Sequence, residues 1–417
     1  MSMLREYLRS SARPYLFALI LAVVLGGLAE YLYKFVWHDL PVIYGQEPGV
    51  YITAAGVAVA AVLWLLYRGE RTRQPLLGAF MILLLVAWAT DSLLSRIHGD
   101  SMPYTVLLYV PVVLGLWWKT PTRDDVRAGL WFLGWSIATI LIVVRALELR
   151  GLIPPIDVGS SLLSFEIGNY WLPLSDTLGP AGRWHGPFGH AARTGAASAF
   201  LIVLAAGLRT RSRWVFAIVG VLGLLLTASR GSLFAAAAGV LAIFVLGDNP
   251  LTRRVRRVWV FAGLGAIALA GAVVVLVQNP NLTGRTTYWT VAIDVWQQSP
   301  ATGVGTSGMQ ASELAMAGTN AHNIVFDSLV KYGVIGLLPV IALLIIAAVL
   351  ALRCTNAGDA LPVGIIAAYL VLGMSEADTE WMSMTLPWLW LVLATLLAGR
   401  TVEAHNRRIP ALSSAGT

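Results

Sequence analysis

A chain of 417 residues that is 57% hydrophobic and only 12% charged lies far from soluble domains, which average about 45–50% apolar and about 25% charged residues. With a mean hydropathy of +0.73, it excludes a soluble enzyme, a disordered chain and a nucleic-acid-binding module. An all-α integral membrane protein is what remains. The single cysteine, Cys354, excludes a disulfide framework and a cysteine-based metal site. Basic residues outnumber acidic ones 29 to 22, for a net charge of +7, and only Lys34, Lys119 and Lys331 are lysines.

Twelve apolar runs of roughly spanning length follow one another at 14–33, 49–67, 75–94, 103–118, 127–147, 190–208, 214–228, 231–247, 258–278, 324–350, 360–374 and 383–399. Only helices or closed barrels satisfy the backbone inside lipid, and runs this long are helical. About 12 transmembrane helices are therefore expected. The first run lacks a clear small-residue cleavage site and reads as a retained span rather than a signal peptide. No internal repeat and no soluble domain interrupts the series, so residues 1–417 read as one polytopic domain.

Charge orients the spans. Arg5, Arg9 and Arg13 precede the first run. Alternate loops then carry Arg68/Arg71/Arg73, Lys119/Arg123/Arg127, Arg209/Arg211/Arg213, Arg253/Arg254/Arg256/Arg257, Arg353 and Arg400/Arg407/Arg408, so one side holds 20 of the 29 basic residues. Positive loops stay inside, so both termini are expected to be cytoplasmic. Two outer loops are long, 148–189 and 279–323, and they carry Trp171, Trp184, Tyr288, Trp289 and Trp296. Long loops rich in aromatics point to function at a membrane interface. Residues 287–298 read as a helix lying along that interface, with Trp289, Ala292, Ile293 and Trp296 on one face.

Basic residues on the outer side run against the positive-inside rule. Arg183, His185, His190 and Arg193 lie at the entry to the sixth run, Arg230 in a tight turn between two runs, and Arg285 and His322 in the second long loop. Arginines gathered there suit a phosphate or diphosphate, because guanidinium makes planar bidentate contacts. Structural alternatives stand beside each. Arg193 can snorkel from a helix end, Arg230 can cap a turn, Arg285 can be a solvated charge, and the histidines can be structural. Thr319 or Asn320 can cap a helix beginning near 321. His322 then sits in its first turn, where the helix dipole keeps the ring neutral and able to accept a proton. Asp327, one turn on, can orient it.

These residues carry a resemblance. His322-Asn323, nine residues, Gly333, two residues and Gly336 resemble the His-(Asn/Ser/Gln)-x9-Gly-x2-(Gly/Thr/Tyr) pattern of the O-antigen ligases. TASRG at 227–231 is similar to that family's Ser-Arg-Gly turn. GRTTYW at 284–289, with Pro300, Gly303 and Gly305, resembles its Arg…Trp…Pro-x-x-Gly-x-Gly stretch. The likeness covers about 183–340, in the same order and on one membrane face. The family often has Asn at the entry to the middle span, where this chain has Ala191-Ala192-Arg193.

The resemblance implies a GT-C-like fold and a donor glycan on undecaprenyl (polyprenyl) diphosphate. It implies action at the outer (periplasmic) face of a bacterial inner membrane, with no cofactor and no metal. The acceptor would be lipid A-core for an O-antigen ligase or another glycan for a polysaccharide polymerase, with membrane lipid around the site and no nucleic acid as partner. His322, Arg230 and Arg285 would be catalytic. Arg230, Arg285, Arg193 and Arg183 would hold the diphosphate, and Asn323, Gly333 and Gly336 would support the motif. A metal-dependent alternative would use paired acids of the first outer loop, but Asp39 and Glu47 stand eight residues apart. Glu376, Asp378 and Glu380 in the last outer loop read as solvated or acceptor-facing charges. A lipid-linked-glycan transporter is the rival of another class, and the lack of related halves counts against it.

Overall fold

Among the described residues, high hydropathy and helix coincide. The computed structural model describes residues 10–35, 48–68, 73–100, 112–152, 166–167, 170–171, 184, 186–188, 190–208, 210–227, 229–247, 285–312, 321, 323–375 and 386–414. Its helices are α1 Arg13–Phe35, α2 Pro48–Leu66, α3 Pro75–Ile97, α4 Arg123–Leu149, α5 Ala191–Gly207, α6 Arg213–Thr227, α7 Arg230–Leu246, α8 Arg285–Gln297, α9 Gly305–Ala311, α10 Ile324–Asn356, α11 Leu361–Ser375 and α12 Leu386–Ser414. A further helical stretch at 112–118 covers the end of the run expected at 103–118. The run at 258–278 and the basic loop at 253–257 lie outside the described residues. By length and composition α3, α4 and α10 are apolar enough to cross a membrane, and several shorter helices are equally apolar.

One small feature departs from all-helix. Within the long loop after α4, Glu166–Ile167 (β1) and Tyr170–Trp171 (β2) pair antiparallel, with Glu166 opposite Trp171.

Helix α12 is the axis of the bundle. From Pro387 to Ala398 it is buried throughout, and it packs on α10, α11 and α4, with lighter contacts to α1, α3 and α5. Trp390 stacks on Phe200 of α5 at 4.4 Å, and Trp388 on Trp88 of α3 at 5.5 Å. Around this axis small residues let helices approach closely, the usual solution in lipid, where apolar surface alone drives no association. A Cβ at Gly239 of α7 would lie 2.8 Å from the Gly364 carbonyl oxygen of α11, and a Cβ at Gly364 equally close to the Gly239 oxygen. On the outside, Leu65, Phe234, Phe244, Leu338 and Ile345 stand exposed, as they do on a lipid-facing surface.

The basic loops gather at one end. Arg13 reaches Asp125 at 3.2 Å, joining the starts of α1 and α4. Arg123 and Arg127 both bind Asp359, in the α10–α11 turn, at 3.3 and 2.6 Å. Glu403 of α12 accepts from Arg400, Arg407 and the Arg73 backbone. Among the described residues, the basic positions that alternate along the chain thus lie at one end in space.

At the opposite end Glu148, buried at the close of α4, accepts from Arg145 at 3.1 Å and from Trp184 Nε1 at 2.7 Å. The Trp184 backbone donates to the Leu226 carbonyl in the last turn of α6.

Substituting Gly239→Leu drives a branched side chain into the α11 backbone. We expect a loss of about 1–3 kcal/mol, read as a lower midpoint of thermal unfolding in detergent, with Gly78→Ala in α3, whose added Cβ would make only an ordinary 3.7 Å contact with Trp117, costing less.

Candidate active site

Two helix starts meet beside Gly195. Ser229 caps α7 by accepting from Ser232 N–H, and the two hydroxyls lie 2.8 Å apart. The Ser232 hydroxyl donates to the Ala192 carbonyl in the first turn of α5 at 3.4 Å. A Cβ on Gly195 would lie 2.7 Å from both Ser229 Cβ and Ser232 Oγ, so only glycine permits the approach. Arg193 therefore stands in the first turn of α5, and Arg230 opens α7, on neighbouring helix N-termini. Arg193 is half-buried and Arg230 exposed. Ser229, not Arg230, is the N-cap of α7. His190 is the N-cap of α5, with Nδ1 accepting from Ala192 N–H at 3.2 Å, so it is structural.

The third helix start is that of α10. It begins at Ile324, not near 321. Its cap is Asn323, whose Oδ1 accepts from Val325 and Phe326 N–H at 2.9 and 3.4 Å. The expectation of a cap at Thr319 or Asn320, with His322 inside the first turn, is corrected. Asn323 can cap because its other end is held: Nδ2 donates to the Met374 carbonyl at the end of α11. The motif asparagine is thus a fully buried cap tied to a second helix. Just upstream, Ala321 N–H donates to Asp327 Oδ1 at 2.8 Å, and the Ala321 carbonyl accepts from Trp289 Nε1 at 3.0 Å. Asp327 accordingly binds the backbone ahead of His322. His322 itself lies outside the described residues, but the chain on both sides of it is pinned. Since α11 also packs on α5 and α7, the three helix starts share one end of the bundle.

Helix α8 packs against the start of α10. Trp289 stacks on Phe326 at 5.6 Å. Tyr288, Trp289, Ala292, Val295 and Trp296 form the packed face, while Ile293 is exposed, so the expected face is rotated toward Val295. Arg285 is the first residue of α8, although its side chain, like Arg183, His185, Glu376, Asp378 and Glu380, lies outside the described residues. So do Asp39 and Glu47.

The motif glycines build an interlock. Helix α10 breaks at Gly333, where φ is +61°. The loop before α9 fills the break: Val334 and Ile335 N–H donate to the Pro300 and Ala301 carbonyls at 3.0 Å, and Val304 N–H donates to the Val330 carbonyl at 2.8 Å. Gly303 and Gly305 also have positive φ. A Cβ on Gly333 would come within 2.3 Å of Ala301 O, and one on Gly303 within 2.4 Å of Lys331 C. Pro300-x-x-Gly303-x-Gly305 and Gly333 are therefore two halves of one joint.

The end of α3 fastens the same loop. His98 Nε2 lies 3.1 Å from Thr302 O. The Asp100 carboxylate accepts from Thr306 N–H and from both the N–H and the hydroxyl of Ser307, capping α9, which has no side-chain cap of its own. Burial alone would raise the Asp100 carboxyl. The bonds from Ser307 and Thr306, with His98 nearby, outweigh it and hold the group below its usual value.

Sequence reading missed Asp91, Lys331, Arg145 and Glu148. The signal was there, since ionisable residues inside or at the ends of apolar runs are functional candidates by default.

A helical membrane protein with a broken span and a cluster of capped helix starts at one end is the class these features define. A family model described as O-Antigen ligase matches residues 215–341, which takes in Arg230, Arg285, the interlock and both motif glycines. The exopolysaccharide production protein ExoQ of Rhizobium meliloti (strain 1021) is 27% identical over 270 residues, covering 56% of this chain and 61% of the relative, or about three fifths of its length. Over these residues the chain is similar to the O-antigen ligases and to this relative. It is a multi-pass membrane protein.

Two expectations follow. Gly333→Ala forces a strained φ and a clash on the interlock, costing about 1–3 kcal/mol, read as a lower thermal midpoint in detergent. Asp100 has a lowered pKa, so its contribution is complete above the ordinary carboxylate range, near about 4, and fades as pH drops through the lowered value. Asp100→Asn should unfold at lower temperature than wild type at pH 7, and the gap should narrow toward pH 3.

Proposed function

We propose that this protein is a glycosyltransferase moving a glycan from undecaprenyl (polyprenyl) diphosphate to an acceptor hydroxyl. It works at the outer, periplasmic face of a bacterial inner membrane, through a twelve-span, GT-C-like fold with cytoplasmic termini. The observation that carries this reading is the meeting of the α5 and α7 N-termini, each with an arginine in its first turn. Helix N-termini and arginines together favour a diphosphate. Arg193 and Arg230 hold it, Arg285 joins them from the start of α8, and Arg183 is a further contact from the preceding loop.

The chemistry then needs a leaving group, a base and a fixed geometry. The bond from the anomeric carbon to the diphosphate oxygen breaks, and its electron pair stays on the diphosphate. Arg230 and Arg285 stabilise that growing charge. His322 takes the proton of the acceptor hydroxyl as its oxygen attacks the anomeric carbon from the opposite side, inverting the centre. The clamps on Ala321 and Asn323 support the base assignment, because a base must be held within hydrogen-bond reach of the proton it removes.

Two acceptors fit this chemistry. The His322-Asn323-x9-Gly333-x2-Gly336 pattern favours ligation onto lipid A-core. The relative named for exopolysaccharide production favours polymerisation, in which another lipid-linked glycan supplies the hydroxyl. The purified full chain in detergent, given a defined undecaprenyl-diphosphate glycan and each acceptor separately, distinguishes them. A single product on lipid A-core identifies a ligase, and a ladder without lipid A-core identifies a polymerase. Turnover should fall by about 10²–10⁴ in His322→Ala and by about 10²–10³ in Arg230→Ala. Near-normal turnover in His322→Ala would remove the base assignment, and no transfer to any acceptor would refute the reading.

A further inference from the structure

The break in α10 creates two helix ends inside the bundle. The front segment, 324–332, finishes at Tyr332, and the rear segment starts at Val334. A finishing end carries partial negative charge and a starting end partial positive charge. Buried ends are costly unless something compensates them. The interlocking loop satisfies hydrogen bonds at the joint, but it brings no charge.

The charges at the joint match the two ends. Lys331, in the last turn of the front segment, is buried at 8% exposure, one helical turn beyond Asp327. Asp91, from α3, is fully buried, and its Oδ1 lies 3.1 Å from where a Cβ on Gly336 would stand. Gly336 is in the first turn of the rear segment. The second motif glycine thus admits the Asp91 carboxylate to the starting end. Neither Asp91 oxygen has a hydrogen-bond partner among the described residues. An ionised Asp91 at the starting end and a protonated Lys331 at the finishing end is the arrangement the two half-helix dipoles favour, and both residues are taken in these charged forms.

We propose that Asp91 and Lys331 are positioning residues: a charge latch across the break that fixes the front segment of α10, and with it the backbone from Ala321 to Asn323. The inference rests on the proposed role of His322, but the latch can be tested apart from it. Amide hydrogen exchange on the full chain in detergent reads the front segment directly. Asp91→Asn and Lys331→Met should each speed exchange across 321–332 by about tenfold or more, leaving 338–356 unchanged. Transfer assays should show kcat down by about tenfold or more, with donor KM within about threefold, because the base and not the donor site is displaced.

Two double variants separate a dipole-matched latch from an ordinary ion pair. Asp91→Asn with Lys331→Met removes both buried charges and should recover exchange protection and kcat over either single change. Asp91→Lys with Lys331→Asp keeps a pair but opposes both helix ends, and it should not recover. Unchanged exchange in both single variants, exchange raised evenly through the bundle, or equal recovery in the swapped pair would each overturn the latch. Asp91→Asn is nearly isosteric, so it still decides the matter if Lys331→Met does not fold. Failure of the wild type to transfer glycan would remove the catalytic reading and leave the exchange result standing.

Discussion

A helix cannot be interrupted in a bilayer unless its freed amides and carbonyls find partners within the protein. That constraint organises the end of the bundle where α10 begins. The interruption at Gly333 is met by the backbone of 300–304, so the loop must approach at backbone distance. Glycine is therefore required at Gly303 and Gly333, where a Cβ would collide with the opposite chain. Asp100 and His98 hold the loop from α3. The segment 324–332 is freed from the direction of the rest of α10, and Asn323, Asp327 and Trp289 fix it from its other end.

Much of this was written in the sequence, but unevenly. Hydropathy located the helices well because burial in lipid imposes one requirement on every residue of a span. The motif glycines could be recognised without their purpose, since the two halves of a joint lie apart in the chain and only folding brings Pro300 against Val334. The start of α10 was misread because Thr319, Asn320 and Asn323 are all competent caps. What selects Asn323 is the Met374 carbonyl, and no local pattern contains it. The face of α8 was likewise turned by a residue, because apolar side chains at 288–296 satisfy two overlapping stripes and the partner chooses between them.

The arginines show the same division. Charge patterning located Arg193 and Arg230 on the side opposite the basic loops. It could not say that a serine at Ser232 joins their helices through the Ala192 carbonyl, or that His190 is a cap. Asp91 and Lys331 entered the charge count simply as charges, although a lone acid in the third apolar run was already conspicuous by the cost of keeping it there.

The rear segment of α10, residues 334–356, has a further consequence. At 1.5 Å per residue it measures about 35 Å, close to the thickness of a bilayer's hydrocarbon core at about 30 Å. On the proposed reading a rod of this length carries the break to one face of the hydrocarbon core, so it acts as a stilt that sets the height of the segment ahead of it. A thinner membrane would tilt the stilt and lower that segment toward the headgroups. A lipid-borne substrate has its own height fixed by the same surface, so bilayer thickness enters the geometry of their encounter as directly as any side chain.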